Sequence, residues 1–312
     1  MENNQLNSEV SVVEAPRKMN KMSKKTRDTL VGYSFIGIWI IGFLVFMMIP
    51  VVNSVRYSFS IVKMDGDVGI ILTPFGFKNF TNIFQVPEGI AFTEALIDFS
   101  KELIVQVPII IVFSIIIAIL LNQPIKCRAL FRGIFFLPVI ISSGPVIQEL
   151  TSQGAGGTNL MANMGFTTMI ESVLGPAIAE PINDLFSKII IIFWFSGVQI
   201  LIMLAGIQKM DKQVYEAAHV DGAGGWEIFW KITLPSLKSL IFVSTIYTIV
   251  LLSSFSNNEV IKQIKGNMFA TDITYGYGFA SAMAWVYMLV MAIFIIIVCL
   301  LLLPRDKKRG AK

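Results

Sequence analysis

The amino-acid sequence predicts an all-α integral membrane protein with six transmembrane helices. Three observations carry this. First, only 15% of the 312 residues are charged and 54% are hydrophobic, whereas a soluble domain carries about a quarter charged residues. Second, the apolar residues are gathered into blocks long enough to cross a bilayer, about 20 residues at 1.5 Å rise each. Third, the basic residues collect at the ends of those blocks, as they do when they set topology.

Residues 1–28 are polar and close on Arg17, Lys18, Lys21, Lys24, Lys25 and Arg27. The apolar run that follows is too long for the h-region of a signal peptide and has no small-x-small cleavage site, so the segment reads as a cytoplasmic tail before an uncleaved first span. The spans are expected near 31–52, 103–121, 133–150, 189–207, 237–254 and 281–303. Pro108 and Pro138 fall inside spans, which membrane helices tolerate when neighbours re-satisfy the freed backbone groups. The transmembrane body is 29–304, and 305–312 form a basic C-terminal tail.

Orientation follows from counting Lys and Arg. With the N-terminus inside, the inner segments hold 18 of the 25 basic residues. Among them are Lys126, Arg128 and Arg132 between spans two and three, and Lys209, Lys212, Lys231 and Lys238 around the loop between spans four and five. Both termini and that loop are therefore expected in the cytoplasm. The outer segments 75–84 and 156–166 show no strand alternation and are expected to hold short interfacial helices. No internal repeat is visible.

Several chemistries find no residues to support them. No G-x-x-x-x-G-K-[ST] run exists to cradle phosphates, and the GAGG runs at 154–157 and 222–225 lack a following Lys-Ser or Lys-Thr. Neither HExxH nor GxSxG occurs. One histidine, His219, and two cysteines, Cys127 and Cys299, suggest neither a metal site nor a disulfide framework. No catalytic residue, metal or cofactor is expected. The spans are nearly free of charge, so a proton- or sodium-coupled cycle has no carrier. Lys101, Glu102 and Lys188 lie at outer ends, where snorkelling accounts for them.

The one stretch that departs from this pattern is EAAHVDGAGGWEIFWKITLP, residues 216–235. Ile207, Met210, Val214, Ala217 and Ala218 fall at helical spacing, and Asp211 can cap that helix. Gly222, Gly224 and Gly225 then break it. A second short helix carries Trp226, Phe229 and Trp230 on one face, and Pro235 stops it and can sit at the first turn of span five. Periodicity leaves two readings open: an elbow for a protein partner, or an amphipathic loop on lipid headgroups.

The order of residues here resembles the EAA loop of ATP-binding-cassette importer permeases. Glu216-Ala217-Ala218, Asp221-Gly222-Ala223, Phe229, Ile232, Leu234 and Pro235 match that loop. His219, Gly224 and Gly225 occupy its variable positions. The resemblance implies the type I importer permease fold and a coupling loop over 208–235. It implies that Glu216, Ala217, Ala218, Asp221, Gly222, Ala223, Phe229 and Pro235 contact a separate ATPase, which would bind the ATP. Implied partners are a second, homologous permease, an ATPase dimer and an extracytoplasmic solute-binding protein, in a bacterial or archaeal cell membrane.

Other segments resemble the sugar permeases. These are NQPIKCRALFRGIFFLP at 122–138, the outer Gly76-Phe77-x-Asn79-Phe80 signature, the outer Gly156, Asn159 and Gly165, and the spacing of Trp194 and Ala205. Together they span about 30–304 and imply a carbohydrate as substrate. Glycerol phosphate or a polyamine is an alternative solute, and an ATP-independent carrier or channel an alternative class. A sugar needs hydrogen-bond partners and a ring to stack on. Ser142, Ser143, Trp194, Gln199 and Asn257 are the candidate path residues, from a wider set with Gln148, Ser196, Ser253, Ser254 and Asn258. For each, packing between helices competes with that role.

Overall fold

The computed structural model describes residues 24–65, 69–123, 133, 172, 175–255, 258–270 and 276–303. The described residues are mostly helical and fall into two compact units, divided between Ser54 and Val55.

In the first unit, α1 (Lys24–Phe43) runs through a π-turn (Leu44–Met48) into α2 (Ile49–Ser58). The π-turn has a local cause. Pro50 has no N–H, and its ring collides with the carbonyl four residues back. The residue before it, Ile49, donates instead to Leu44, five residues back, and the widened turn makes room. Trp39 and Phe46 are among its exposed large apolar side chains, as expected of a helix apolar on every side.

The second unit begins at the end of α2. A hairpin follows, β1 (Ser60–Asp65) against β2 (Gly69–Pro74), antiparallel with Ser60 opposite Pro74. The sequence reading assigned no strand to this outer segment; only the short helix α3 (Lys78–Asn82) inside 75–84 matches its expectation. The hairpin is held by the signature that follows it. Gly76 takes φ +63° at the turn. Buried Asn79 donates its amide to the carbonyls of Ser58 and Ser60, 3.0 Å each. Phe59 packs on Phe77 and Phe80 with ring centres 5.2 Å away.

The long helices are α4 (Pro87–Asn122), α5 (Pro176–Lys209), α8 (Leu234–Ser253) and α10 (Tyr277–Leu302). Between them lie α6 (Lys212–Val220), α7 (Gly225–Ile228) and α9 (Glu259–Met268). Helix α4 begins at Pro87, well before the expected start of span two at 103. Lys101 and Glu102 therefore sit mid-helix, where Lys101 pairs with Asp98 at 2.9 Å and Glu102 accepts from Gln106. Five helical stretches among the described residues are long and apolar enough to cross a membrane, and each contains or overlaps an expected span. The remaining expected span, 133–150, with Pro138, lies outside the described residues, as does the outer segment 156–166.

Three apolar clusters follow one another along the bundle. Ile83, Phe92, Leu96, Val260, Phe279 and Met283 form one end. Leu103, Val107, Ile110, Phe195, Ile249, Leu252 and Met291 form the middle. Ile115, Leu121, Ile200, Met203, Ile207 and Leu237 form the end nearest α6. A buried polar layer separates the last two: Ser114 on α4, Ser196 and Gln199 on α5, Ser244 and Thr248 on α8.

Candidate functional site

The site is the elbow between α5 and α8, and its shape follows from its capping groups. Helix α5 ends at Lys209, and Met210 and Asp211 are extended. The Asp211 carboxylate accepts the N–H of Gln213 at 2.9 Å, satisfying one of the free donors at the start of α6. The expected cap is present. The expected single stripe from Ile207 to Ala218 is not, because the break at Met210–Asp211 turns α6 onto a different face. Val214 is exposed, no residue of α6 is fully buried, and the half-buried positions are Tyr215 and Ala218.

The other end of α6 is a Schellman stop. Ala223 donates to the carbonyl of Ala218 at 3.0 Å, and Gly222 donates to that of His219 at 3.1 Å. Asp221, the last residue before the turn, donates to Ala217 at 3.0 Å. Gly222 has φ +81°, a conformation that costs little only without a Cβ. The Ala217-Ala218 and Asp221-Gly222-Ala223 pairs of the motif are thus the two halves of one helix stop. Glu216 and Asp221 stay exposed beside it. Glu216 lines a groove of about 640 Å³ between α6 and the ends of α4 and α5, together with Lys212 and His219.

After the stop, α7 runs through a second π-turn (Phe229–Thr233) into α8. Pro235 lies in the first turn of α8, as expected, but does not end the helix before it. Leu234 donates to Phe229, five residues back, so the widened turn absorbs the proline as the first one absorbs Pro50. Phe229 is half-buried and packs against the cluster of Ile207 and Leu237. Trp226 and Trp230 remain exposed beside it.

Two residues that sequence reasoning missed make close contacts at the elbow and beside it. Tyr215 Oη lies 3.1 Å from Thr233 Oγ1 and donates to Met210 Sδ at 3.1 Å, joining α6 to the π-turn. The signal was available: Tyr215 lies three residues before Ala218 and shares its face. Gly206 supplies the second contact. A Cβ on it would strike the methyl groups of Leu240 and Leu237, so α5 and α8 are in close contact next to the elbow.

Of the candidate path residues, Trp194 and Gln199 lie among the described residues. Ser142, Ser143, Gln148 and Asn257 lie outside the described residues. Trp194 is half-buried on α5. Gln199 is fully buried, and its amide donates to Thr248 at 2.8 Å, so it ties α5 to α8. Ser196 bonds its own helix at Phe193, and Ser253 bonds Val250. Asn258 caps α9 through Val260 and donates to Tyr287 Oη, which in turn donates to the Ser253 carbonyl at 2.8 Å.

Known proteins are similar to this chain. Residues 20–303 match the family described as binding-protein-dependent transport system inner membrane component. The probable ABC transporter permease protein YesP of Bacillus subtilis is 30% identical over 261 residues, covering 82% of this chain and 81% of that protein. The arabinooligosaccharides transport system permease protein AraP of Halalkalibacterium halodurans is 30% identical over 258 residues, 80% and 77% of the two chains. A solved bacterial alginate ABC transporter, in complex with an alginate pentasaccharide-bound periplasmic protein, shares the fold. Its TM-score is 0.54 at 19% identity, over 92% of this chain and 99% of that one. The chain belongs to this family of binding-protein-dependent ABC transporter permeases.

Proposed function

We propose that this permease forms part of the membrane pathway of an ATP-driven importer for a mono- or oligosaccharide, and that it couples to a separate ATPase through the elbow at 208–235. The elbow geometry is the observation that carries the reading. A short exposed helix, stopped at both ends by its own capping groups and joined by Tyr215 to Met210 at the end of α5 and to Thr233 at the start of α8, can pass a push to those spans, which pack on each other at Gly206 and through Phe229. Glu216 and Asp221 offer carboxylates to a partner surface, and Ala217 and Ala218 keep that helix face low.

In this mechanism the chain makes and breaks no bonds, and ATP is bound by the partner subunits. Closure of an ATPase dimer moves α6, and α5 and α8 rock between inward- and outward-open arrangements, which is alternating access. A second, homologous permease completes the pathway, and a solute-binding protein delivers substrate from outside. Tails 1–28 and 305–312 and the elbow face the cytoplasm, supported by the basic-residue asymmetry. The carbohydrate class is supported by the names of the relatives, which concern arabinooligosaccharides and alginate.

The test is reconstitution in proteoliposomes with the partner permease, ATPase and binding protein. Uptake of an oligosaccharide is expected to require enclosed ATP and to fail when Glu216 and Asp221 are both replaced by Lys. Uptake indifferent to ATP, or purification from cells with no ATPase attached, contradicts the reading.

A further inference from the structure

Trp226 and Trp230 are one helical turn apart, 74% and 50% exposed. With Phe229 they make three ring contacts, at 6.3, 5.6 and 5.2 Å between centres. Phe229 turns inward onto the Ile207–Leu237 cluster, which leaves both indoles on the outside. The question is what covers them.

The length of the helix answers it. Gly225–Ser253 is one continuous helical run of 29 residues, about 43 Å at 1.5 Å per residue. A bilayer is about 30 Å thick in its hydrocarbon core and about 40–45 Å with its headgroup layers. The run therefore matches the whole bilayer: each headgroup layer is about 5–7.5 Å deep, so the first turn of the run falls in one layer and the second at its boundary with the hydrocarbon. Those are the turns that carry Trp226 and Trp230. Their chemistry agrees: a large apolar ring with one N–H donor suits the boundary between hydrocarbon and water. The same two turns carry the Lys231–Glu227 ion pair, 3.1 Å apart and exposed, which hydrocarbon would exclude. Exposed Lys238, two turns further on, can reach back to the same layer.

We propose that Trp226 and Trp230 form an interfacial anchor seated among phospholipid headgroups, and that they are not part of the surface offered to a protein partner. The anchor fixes the depth of the turn 229–233, to which Tyr215 ties α6. The claim that this sets the height of the coupling helix rests on the function proposed above; the seating in lipid does not.

The experiment uses the full chain labelled with 5-fluorotryptophan, in nanodiscs of phosphatidylethanolamine and phosphatidylglycerol, alone and assembled with the ATPase. Trp226→Phe and Trp230→Phe assign the two fluorine signals among the five tryptophans of the chain. A gadolinium-labelled headgroup lipid is expected to broaden both signals away in both preparations. Signals that survive the labelled lipid in the chain alone overturn the proposal. So do signals that regain intensity when the ATPase assembles, because the rings then belong to the protein interface. If no ATPase assembles, the coupling function fails, while the first arm still reports on the headgroups.

Discussion

Tyr215 Oη lies 3.1 Å from Thr233 Oγ1, joining the motif helix to the π-turn that opens the next span. A hydrogen bond of this kind contributes about 1 kcal/mol net, small for stability but large for the stiffness of a lever with few other fastenings. Tyr215→Phe is expected to leave membrane abundance unchanged and to lower uptake per ATP hydrolysed. Measuring both rates in proteoliposomes decides it; an unchanged ratio means the bond does not transmit force.

Gly222 has φ +81°, and no atom of the described residues lies within 4 Å of where its Cβ would be. Within this chain the constraint is conformational, worth about 1–2 kcal/mol for an ordinary side chain. Asn tolerates that conformation better than other residues. Gly222→Asn should therefore preserve the helix stop, whereas Gly222→Val should abolish uptake while the protein remains in the membrane. Normal uptake by the Val variant would remove the coupling role from this turn.

Gln199 and Thr248 predict an asymmetry. Thr248 also donates to the Ser244 carbonyl at 2.7 Å, so Gln199→Leu leaves no new orphan and removes Gln199 Oε1, which is buried without a partner. Thr248→Val instead strands the Gln199 amide, at a cost of about 1–3 kcal/mol. Thermal unfolding in detergent should rank Thr248→Val as the more harmful change. An altered solute preference in Gln199→Leu would place this residue on the substrate path.

Two glycines make close contacts of different kinds. A Cβ at Gly278 would meet the backbone carbonyl oxygens of Ser60 and Tyr57, while one at Gly206 would meet Leu side-chain ends. Side-chain ends move and backbone does not, and overpacking costs about 1–3 kcal/mol. Gly278→Ala is expected to loosen the hairpin, seen as faster proteolysis between β1 and β2. Gly206→Ala should be milder and should leave the hairpin intact. Equal sensitivity of the two variants would contradict this account.

Much of the molecule was legible from residue order. The positions of five spans followed from apolar blocks, the Asp211 cap from its side chain, and the family from the motif at 216–235. The hairpin at 60–74 was not, because its strands stand on Asn79 and the Phe59–Phe77–Phe80 contacts, which come later in the chain. Pro235 was misread because a proline normally ends a helix, and here a five-residue hydrogen bond lets the helix continue. Tyr215 was not legible because the apolar spacing runs through Met210, where the chain in fact breaks and turns the next helix onto a different face.

The sequence by itself determined that this chain spans a membrane, the centres of five of its spans, and which kind of loop interrupts them. These follow from composition and from short patterns that act within a few residues. Only the tertiary structure decided what the pieces do to one another. It set Gln199 against Thr248, Tyr215 against Thr233, and Phe229 inward while the two tryptophans face out. Each of those pairings depends on how helices distant in sequence rotate and cross as they pack, and no local pattern encodes that angle.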